Sequence, residues 1–598
     1  MREMHLPALV APPSSGNITD IVEQNAITFP NHALASIPEG TEWKLVNSIE
    51  FRALVKSIAK GLIADGIQTG DRVAIFSRTR YEWTVADFAI WYAGAIPVPI
   101  YETSSPEQVK WILSDSNVVA TFFEANRTTL AYKEIASFVP QMTRSYVFAE
   151  NVFTDLTAKG AHISDDELEK RRSHAGPNDV ATIIYTSGTT GLPKGCVLTH
   201  SNLISEIDNL VEGIPEIFKA PEASTLIFLP LAHVFGRLIQ LAMVRGQVTI
   251  GHCPNPASLL RDLESFKPSF LLAVPRVFEK VFNGASAKAH AASPVKGKIF
   301  DAAAKTAIAY SEALDHGRPN PALAAKHKLF DVLVYSKLRA AMGGRVTHAI
   351  SGGASLGTRL GHFYRGLGLV VLEGYGLTET TAGSTLNIPT ALKIGSVGKP
   401  VFGTSVKIAD DGEVLIYGPH VFKGYWNNEI ATKEAFTSDG WFHSGDIGEI
   451  DDDGFLRITG RKKEILVTAG GKNVAPAVLE DRLRAHPIIS QCVVVGDGQA
   501  FIGALITLDQ EALPGILAAN GIDEKPLEEL AKDPKVRAIV QQAVNTANEI
   551  VSISEAIKKF TILPTDLTIE NGYLTPKMSI RRHVVTSDFA NEIEELYR

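Results

Sequence analysis

Between Tyr185 and Gly195 the chain reads YTSGTTGLPKG. Gly188 and Gly191 stand among the hydroxyls of Thr186, Ser187, Thr189 and Thr190, and Lys194 adds one ammonium. Backbone N–H groups freed by glycine, hydroxyl donors and a lysine together make an anion cradle, suited to a triphosphate. It is not a Walker A loop, which needs glycine directly before the lysine and a hydroxyl residue directly after it. Pro193 and Gly195 occupy those places. A cradle of this kind suits acid activation. A carboxylate is a poor electrophile, and a mixed anhydride with AMP supplies the leaving group that a thiol or amine can displace.

Six further segments carry chemistry-bearing residues: PLAHVFGR (Pro230 to Arg237), SGGASL (Ser351 to Leu356), EGYGLTET (Glu373 to Thr380), GWFHSGDIG (Gly440 to Gly448), TGRKKE (Thr459 to Glu464) and AGGKNVAP (Ala469 to Pro476). EGYGLTET follows an apolar run, so it sits at a strand exit, where ligands collect in α/β sheets. GWFHSGDIG puts Asp446 in a turn, where a carboxylate can accept both hydroxyls of a ribose. Each segment alone has a plain alternative: Glu379 as a surface carboxylate, His233 as a satisfied core histidine, Arg461 to Lys463 as a solvated turn, Gly470 and Gly471 as an ordinary glycine turn.

In this order the segments resemble the adenylate-forming superfamily, which includes acyl-CoA synthetases, luciferases and the adenylation domains of peptide synthetases. The resemblance implies ATP, Mg²⁺ and CoA as reactants and cofactor. It implies that Thr186 to Gly191 and Lys194 hold phosphates, that Gly352, Gly353 and Ala354 leave a flat wall for adenine and acyl group, and that Glu373, Gly374, Tyr375 and Gly376 line the nucleotide, with Tyr375 stacking on adenine. Thr378 would contact the α-phosphate, Thr186 and Glu379 would take the metal, and Asp446 and Arg461 would reach the nucleotide. His233 would lie near the carboxylate and pyrophosphate, Lys463 at an interdomain hinge, and Gly470, Gly471 and Lys472 along the CoA path. The family ends with a catalytic lysine in contexts such as LTPTLKLRR, whereas this chain reads LTPKMSIRR (Leu574 to Arg582). Ser579 holds the in-register place, and Lys577, two residues earlier, is the candidate if the stretch is extended, since residues two apart then share a face.

Three stretches resemble the long-chain fatty acyl-CoA synthetase branch: Val98 to Leu113, the helical segment before SGGASL, and Lys328 to Leu356. The implied reaction is fatty acid plus ATP plus CoA to acyl-CoA, AMP and diphosphate, with Lys577, Lys194, Glu379 and His233 as catalytic residues. Apolar segments such as Leu238 to Val244 would wall an acyl tunnel. The alternatives are a fatty acyl-AMP ligase, a ligase for medium-chain or aromatic acids, and a catalytically weak nucleotide- and lipid-binding protein.

The elements that would position these residues are legible in outline. At 598 residues the chain exceeds one core, and length suggests roughly three or four folding units. From Arg72 to Glu373 short β-branched runs alternate with helical stretches, the pattern of helix-covered parallel sheets. Ser105, Pro106 and Glu107 read as the start of a helix. The Ala- and Lys-rich stretch 277–342 reads as helices broken at HGRPNPA, and DELEKRR (Asp166 to Arg172) as a solvated helix face. Asp-Gly turns after Gly395 predict a β-rich subdomain over 395–459. The expected fold is α/β: a large N-terminal adenylation domain, 1–459, and a small mobile α+β domain, 460–598, with the hinge near 463.

Composition bounds the rest. Hydrophobic residues make up 45% and the net charge is −8, an ordinary globular balance that argues against a nucleic-acid partner. Cys196, Cys253 and Cys492 are too scattered for a disulfide framework or zinc site and read as reduced, which suggests a cytoplasmic protein. The N-terminus lacks the apolar run of a signal peptide. Polar residues interrupt Thr225 to Ile250, so it is not expected to span a membrane. Peripheral contact with the inner face of a membrane, and a homodimer, stay open.

Overall fold

The computed structural model describes residues 2–40, 42–124, 135, 138–186, 192–470, 472–575 and 579–598. Arg72–Phe76, Ile96–Ile100, Val118–Phe123 and Arg144–Val147 form a four-stranded all-parallel sheet. Its apolar runs are buried on both faces, as parallel strands require. Helix Tyr81–Tyr92, which precedes Ile96–Ile100, is buried at every position but Glu82. A second sheet sets Ser224–Ile227, Thr249–His252 and Ala33–Glu39 parallel and closes with an antiparallel Glu42–Asn47. A third runs Phe270–Ala273, His348–Ser351 and Val370–Tyr375 in parallel before two short antiparallel strands.

One strand departs from the expected parallel pattern. Val180–Thr186 pairs antiparallel with Lys194–Thr199, Thr186 opposite Lys194, so the glycine-rich loop joins the arms of a β-hairpin. Thr225 to Ile250 divides into a strand, the helix Val234–Arg245 and a second strand. Among the described residues no helix is long and apolar enough to cross a membrane.

Helix Pro106–Asp115 begins where Ser105 and Pro106 mark it, with a capping box to Gln108. Helices Pro275–Ala292, Pro294–Asp315 and Pro321–Phe330 each open on a proline, and the chain breaks between His316 and Asn320. DELEKRR forms the helix Asp165–Arg172, but it is not merely solvated. Arg172 reaches Thr19 and Asp20 and anchors the start of the chain.

Ser405–Ile408, Glu413–Tyr417, Phe442–Ile450 and Leu456–Arg461 form an antiparallel sheet that Glu3–His5 joins at one edge. Gly412 and Gly454 take φ of +86° and +85° in its Asp-Gly hairpins, a conformation that favours glycine. Past the 3₁₀ turn Lys462–Glu464, strands Ile489–Val495, Ile502–Leu508 and Ile557–Ile562 and helix Pro534–Asn548 enclose an apolar core of their own. Polar links tie this unit to the rest: Arg276 to Asp509 at 3.6 Å, Lys280 to Glu511 at 3.2 Å, and Arg359 to the Ala485 carbonyl at 3.2 Å. All three cysteines are free and buried.

Candidate active site

A cleft of about 1960 Å³ opens between the parallel sheets, the β-rich sheet and the C-terminal unit. The strand His348–Ser351 delivers Gly352, Gly353 and Ala354 to its wall, and Gly353 turns the chain at φ +84°. The neighbouring strand Val370–Tyr375 delivers Glu373, Gly374, Tyr375 and Gly376. A Cβ on Gly376 would stand 1.9 Å from the Ala382 carbonyl oxygen, so no side chain fits there.

Glu373 is buried, and its Oε1 accepts the Leu356 N–H at 2.9 Å. Burial pushes its carboxyl up to about 7. The carboxyl thereby braces the turn after Gly353 while Glu373 lines the cleft.

Asp446 lies inside the strand Phe442–Ile450, not in a turn. The bend came from HSG: Gly445 takes φ +71°, and directly after it the pairing with Leu456–Arg461 starts with Asp446 opposite Arg461. The Tyr375 hydroxyl donates to Asp446 Oδ2 at 2.6 Å, and Arg461 Nε lies 3.2 Å from Oδ1. Burial raises the Asp446 carboxyl and the arginine opposes that shift.

A second polar relay lies on the same cleft. Lys194 Nζ stands 5.0 Å from the centroid of the Tyr425 ring, and the Tyr425 hydroxyl donates to Glu379 Oε1 at 2.9 Å. Glu379 acts electrostatically on both Asp446 and Arg461, so the two relays share one field. Thr378 is buried in the 3₁₀ turn that carries Glu379, and Thr186 lines the cleft at the end of its strand. Tyr425 escaped sequence reading because it sits on a two-residue strand far along the chain; only its register against Cys196, beside the cradle, brings it in.

His233 is neither a core residue nor a loop residue. It is the N-cap of Val234–Arg245, its Nδ1 accepting the Phe235 N–H at 3.0 Å, and it lines the cleft. Behind it, buried Arg237 donates to both oxygens of Asp87 and to Thr182, which pins the helix to the sheet. Of the tunnel segment Leu238 to Val244, only Leu238 and Ile239 line the cleft; Leu241 to Val244 are in the core.

Lys463, in the turn after Arg461, lines the cleft, while Lys462 pairs with Asp411 and Glu413. Gly470 and Lys472 do not line it, and Lys472 pairs with Glu555 at 3.3 Å. Ser187, Gly188, Thr189, Thr190, Gly191, Gly471 and Lys577 lie outside the described residues. Thr575 and Ser579, which flank Lys577 at two residues' distance, both line the cleft. Around them, Leu574 bridges Ile580 antiparallel, and the Thr575 N–H donates to the Ser579 carbonyl at 2.8 Å.

Residues 22–426 match the AMP-binding enzyme family, and residues 463–598 match the AMP-binding enzyme C-terminal domain. The chain belongs to the AMP-binding enzyme family. This AMP-binding enzyme is 50% identical, over 601 residues and 100% of both chains, to the long-chain-fatty-acid–CoA ligase FadD15 of Mycobacterium bovis, and equally to that of Mycobacterium tuberculosis. It is 30% identical to the long-chain-fatty-acid–CoA ligase ACSBG2 of Xenopus laevis over 97% of this chain and 84% of that one. Among solved structures, the adenylation domain of a carboxylate reductase from Mycobacterium chelonae superposes with a TM-score of 0.74 at 20% identity, covering 98% of this chain and 92% of that one. The anthranilate CoA ligase AuaEII superposes with a TM-score of 0.72 at 19% identity, covering 96% and 98%. The α/β fold of adenylate-forming enzymes read from the motifs is thus the fold of this AMP-binding enzyme.

Proposed function

We propose that this AMP-binding enzyme is a long-chain fatty acid–CoA ligase, which forms acyl-CoA, AMP and diphosphate through an acyl-adenylate. The observation that carries the reading is the meeting of two relays, Tyr375–Asp446–Arg461 and Lys194–Tyr425–Glu379, on one cleft. Full-length identity of 50% to proteins named long-chain-fatty-acid–CoA ligase supports the same substrate class.

In the first step a carboxylate oxygen of the fatty acid attacks the α-phosphorus and diphosphate leaves. Lys194 and Arg461 supply fixed positive charge where negative charge builds, a preorganised contribution that needs no rearrangement of the protein. Asp446, held by Tyr375 and Arg461, accepts the ribose hydroxyls, and the wall Gly352 to Ala354 takes the flat face of adenine. Thr378 reaches the α-phosphate, and His233 holds the mouth near the reacting carboxylate. In the second step the CoA sulfur attacks the acyl carbonyl and AMP leaves. No protein nucleophile is required.

Glu379 and the Thr186 hydroxyl offer hard oxygen donors beside the cradle, and among the described residues no group of three or more His, Cys, Asp or Glu is placed to hold a metal ion. That donor set suits Mg²⁺, which binds few carboxylates and completes its shell with water and phosphate oxygens. Bound there, the ion would neutralise phosphate charge.

The domain boundary lies at 459/460, with the hinge near Lys463. Gly470, Gly471 and Lys472 reach the CoA path only after the C-terminal unit turns, since Gly470 and Lys472 stand away from the cleft in the present arrangement.

Product analysis tests the reading. With ATP, Mg²⁺, a palmitate-length acid and CoA, acyl-CoA and AMP should form in equal amounts. Acyl-AMP alone would make the protein an acyl-AMP ligase, and nucleotide binding without either product would overturn the reading.

A further inference from the structure

Seven carboxyl side chains among the described residues are less than a tenth exposed: Asp87, Glu124, Glu206, Glu373, Glu413, Asp446 and Glu480. Six have partners. Asp87 binds Arg237, Glu124 binds Arg78, and Glu373 accepts the Leu356 N–H. Glu413 binds Lys462, Asp446 takes Tyr375 and Arg461, and Glu480 takes Arg582. Glu206, 3% exposed, has neither a hydrogen bond nor an ion pair among the described residues. Burial alone shifts its carboxyl, far upward, and no nearby charge offsets the shift. Burial thus favours the protonated form, which has one O–H to donate and a carbonyl oxygen to accept.

Its position is as informative as its isolation. Glu206 lines the cleft together with Leu210, one turn along the same helix His200–Gly213, and with Phe235, Leu238 and Ile239 of Val234–Arg245. Its Oε1 would lie 2.6 Å from a Cβ added to Gly383, so it reaches across to the segment behind the Glu379 turn. A buried acid without a partner is costly, and an apolar wall ordinarily excludes one.

We propose that Glu206 is a hydrogen-bonding subsite for the acyl chain, and that it recognises a hydroxyl carried along a long-chain acid. This rests on the ligase reading above. A hydroxyl can both donate to and accept from the neutral carboxyl, whereas an unsubstituted methylene chain leaves both of its groups unpaired. A site that bonds a substrate hydroxyl discriminates against the analogue lacking it far more strongly than an apolar pocket discriminates in the reverse sense.

The test walks one hydroxyl along a palmitate-length acid and measures kcat/KM for each isomer relative to the unsubstituted parent. In the native protein at least one isomer should exceed the parent. In Glu206→Leu that ratio should fall at least about tenfold; Glu206→Gln, which keeps a donor and an acceptor, should retain the ratio. No favoured isomer in the native protein, a ratio unchanged in the leucine variant, or an equal loss in both variants would overturn the proposal. Glu206→Met replaces the leucine variant if that one does not fold. Calorimetric binding of the same acids to the same proteins keeps the two readings apart. If no acid yields acyl-CoA, the ligase assignment fails, while the binding ratio still reports on Glu206.

Discussion

The Tyr375 hydroxyl stands 2.6 Å from Asp446 Oδ2, a bond that joins the end of a parallel strand to the middle of an antiparallel one 71 residues later. It holds one carboxylate oxygen while Arg461 faces the other. Asp446→Ala should raise the KM for ATP at least about tenfold, since it removes an acceptor and leaves the arginine unpaired. Tyr375→Phe, which keeps the ring, should cost about 1 kcal/mol, or several-fold in the same constant. Unchanged ATP affinity in Asp446→Ala would remove that residue from the nucleotide site.

Arg237 and Asp87 form an ion pair only 1% and 0% exposed. Arg237→Met leaves a buried carboxyl without its cation, and the loss should be about 3 to 5 kcal/mol in denaturant unfolding. Adding Asp87→Asn should recover part of that loss, because the uncompensated charge is then gone. Additive losses in the double variant would mean that the two residues act independently.

Glu373 gives a pH signature. Its folded value, about 7, lies above the ordinary 4.5, so between these limits the native protein retains a proton that the unfolded chain releases. The stabilisation linked to that proton is complete below pH 4.5 and is lost as pH rises to about 7, a change of about 3 kcal/mol. Glu373→Gln keeps an oxygen for the Leu356 N–H and should flatten this slope. Chemical unfolding of both proteins between pH 5 and pH 8, roughly the window concerned, reads the difference.

We propose Lys577, the candidate read from LTPKMSIRR, as the C-terminal cation of adenylation. Lys577→Ala should slow ATP–pyrophosphate exchange by about a hundredfold or more, while thioester formation from supplied acyl-AMP stays near native. Ser579→Ala should leave both steps unchanged. Normal exchange in Lys577→Ala would take that lysine out of the mechanism.

Much of the site was legible because its residues cluster in short strings whose types suit phosphate and nucleotide binding. SGGASL and EGYGLTET end adjacent parallel strands, and the chain from Arg72 onward shows the strand and helix rhythm that builds such sheets. The parallel expectation failed at Val180–Thr186 because a run of buried β-branched residues has the same pattern in either direction. The string pointed to the cleft that Glu373 lines, but not to the bond its carboxyl makes with the Leu356 N–H, which depends on a neighbouring strand. Tyr425 and Glu206 left no sign, since a lone tyrosine and a lone glutamate acquire meaning only from what lies opposite. The chain start joining Ser405–Ile408 is of the same kind: three residues of strand carry too little pattern to announce a partner 400 positions away.

The C-terminal unit seals its own apolar core, and charged groups such as Arg276, Lys280 and Arg359 help to join it to the remainder of the molecule. Such a seam behaves as an electrostatic clasp. Parting it exposes partly buried ion pairs such as Arg276–Asp509 to solvent and salt, so reorientation should quicken with ionic strength. The catalytic cycle would then be paced by salt more than by the hydrophobic effect.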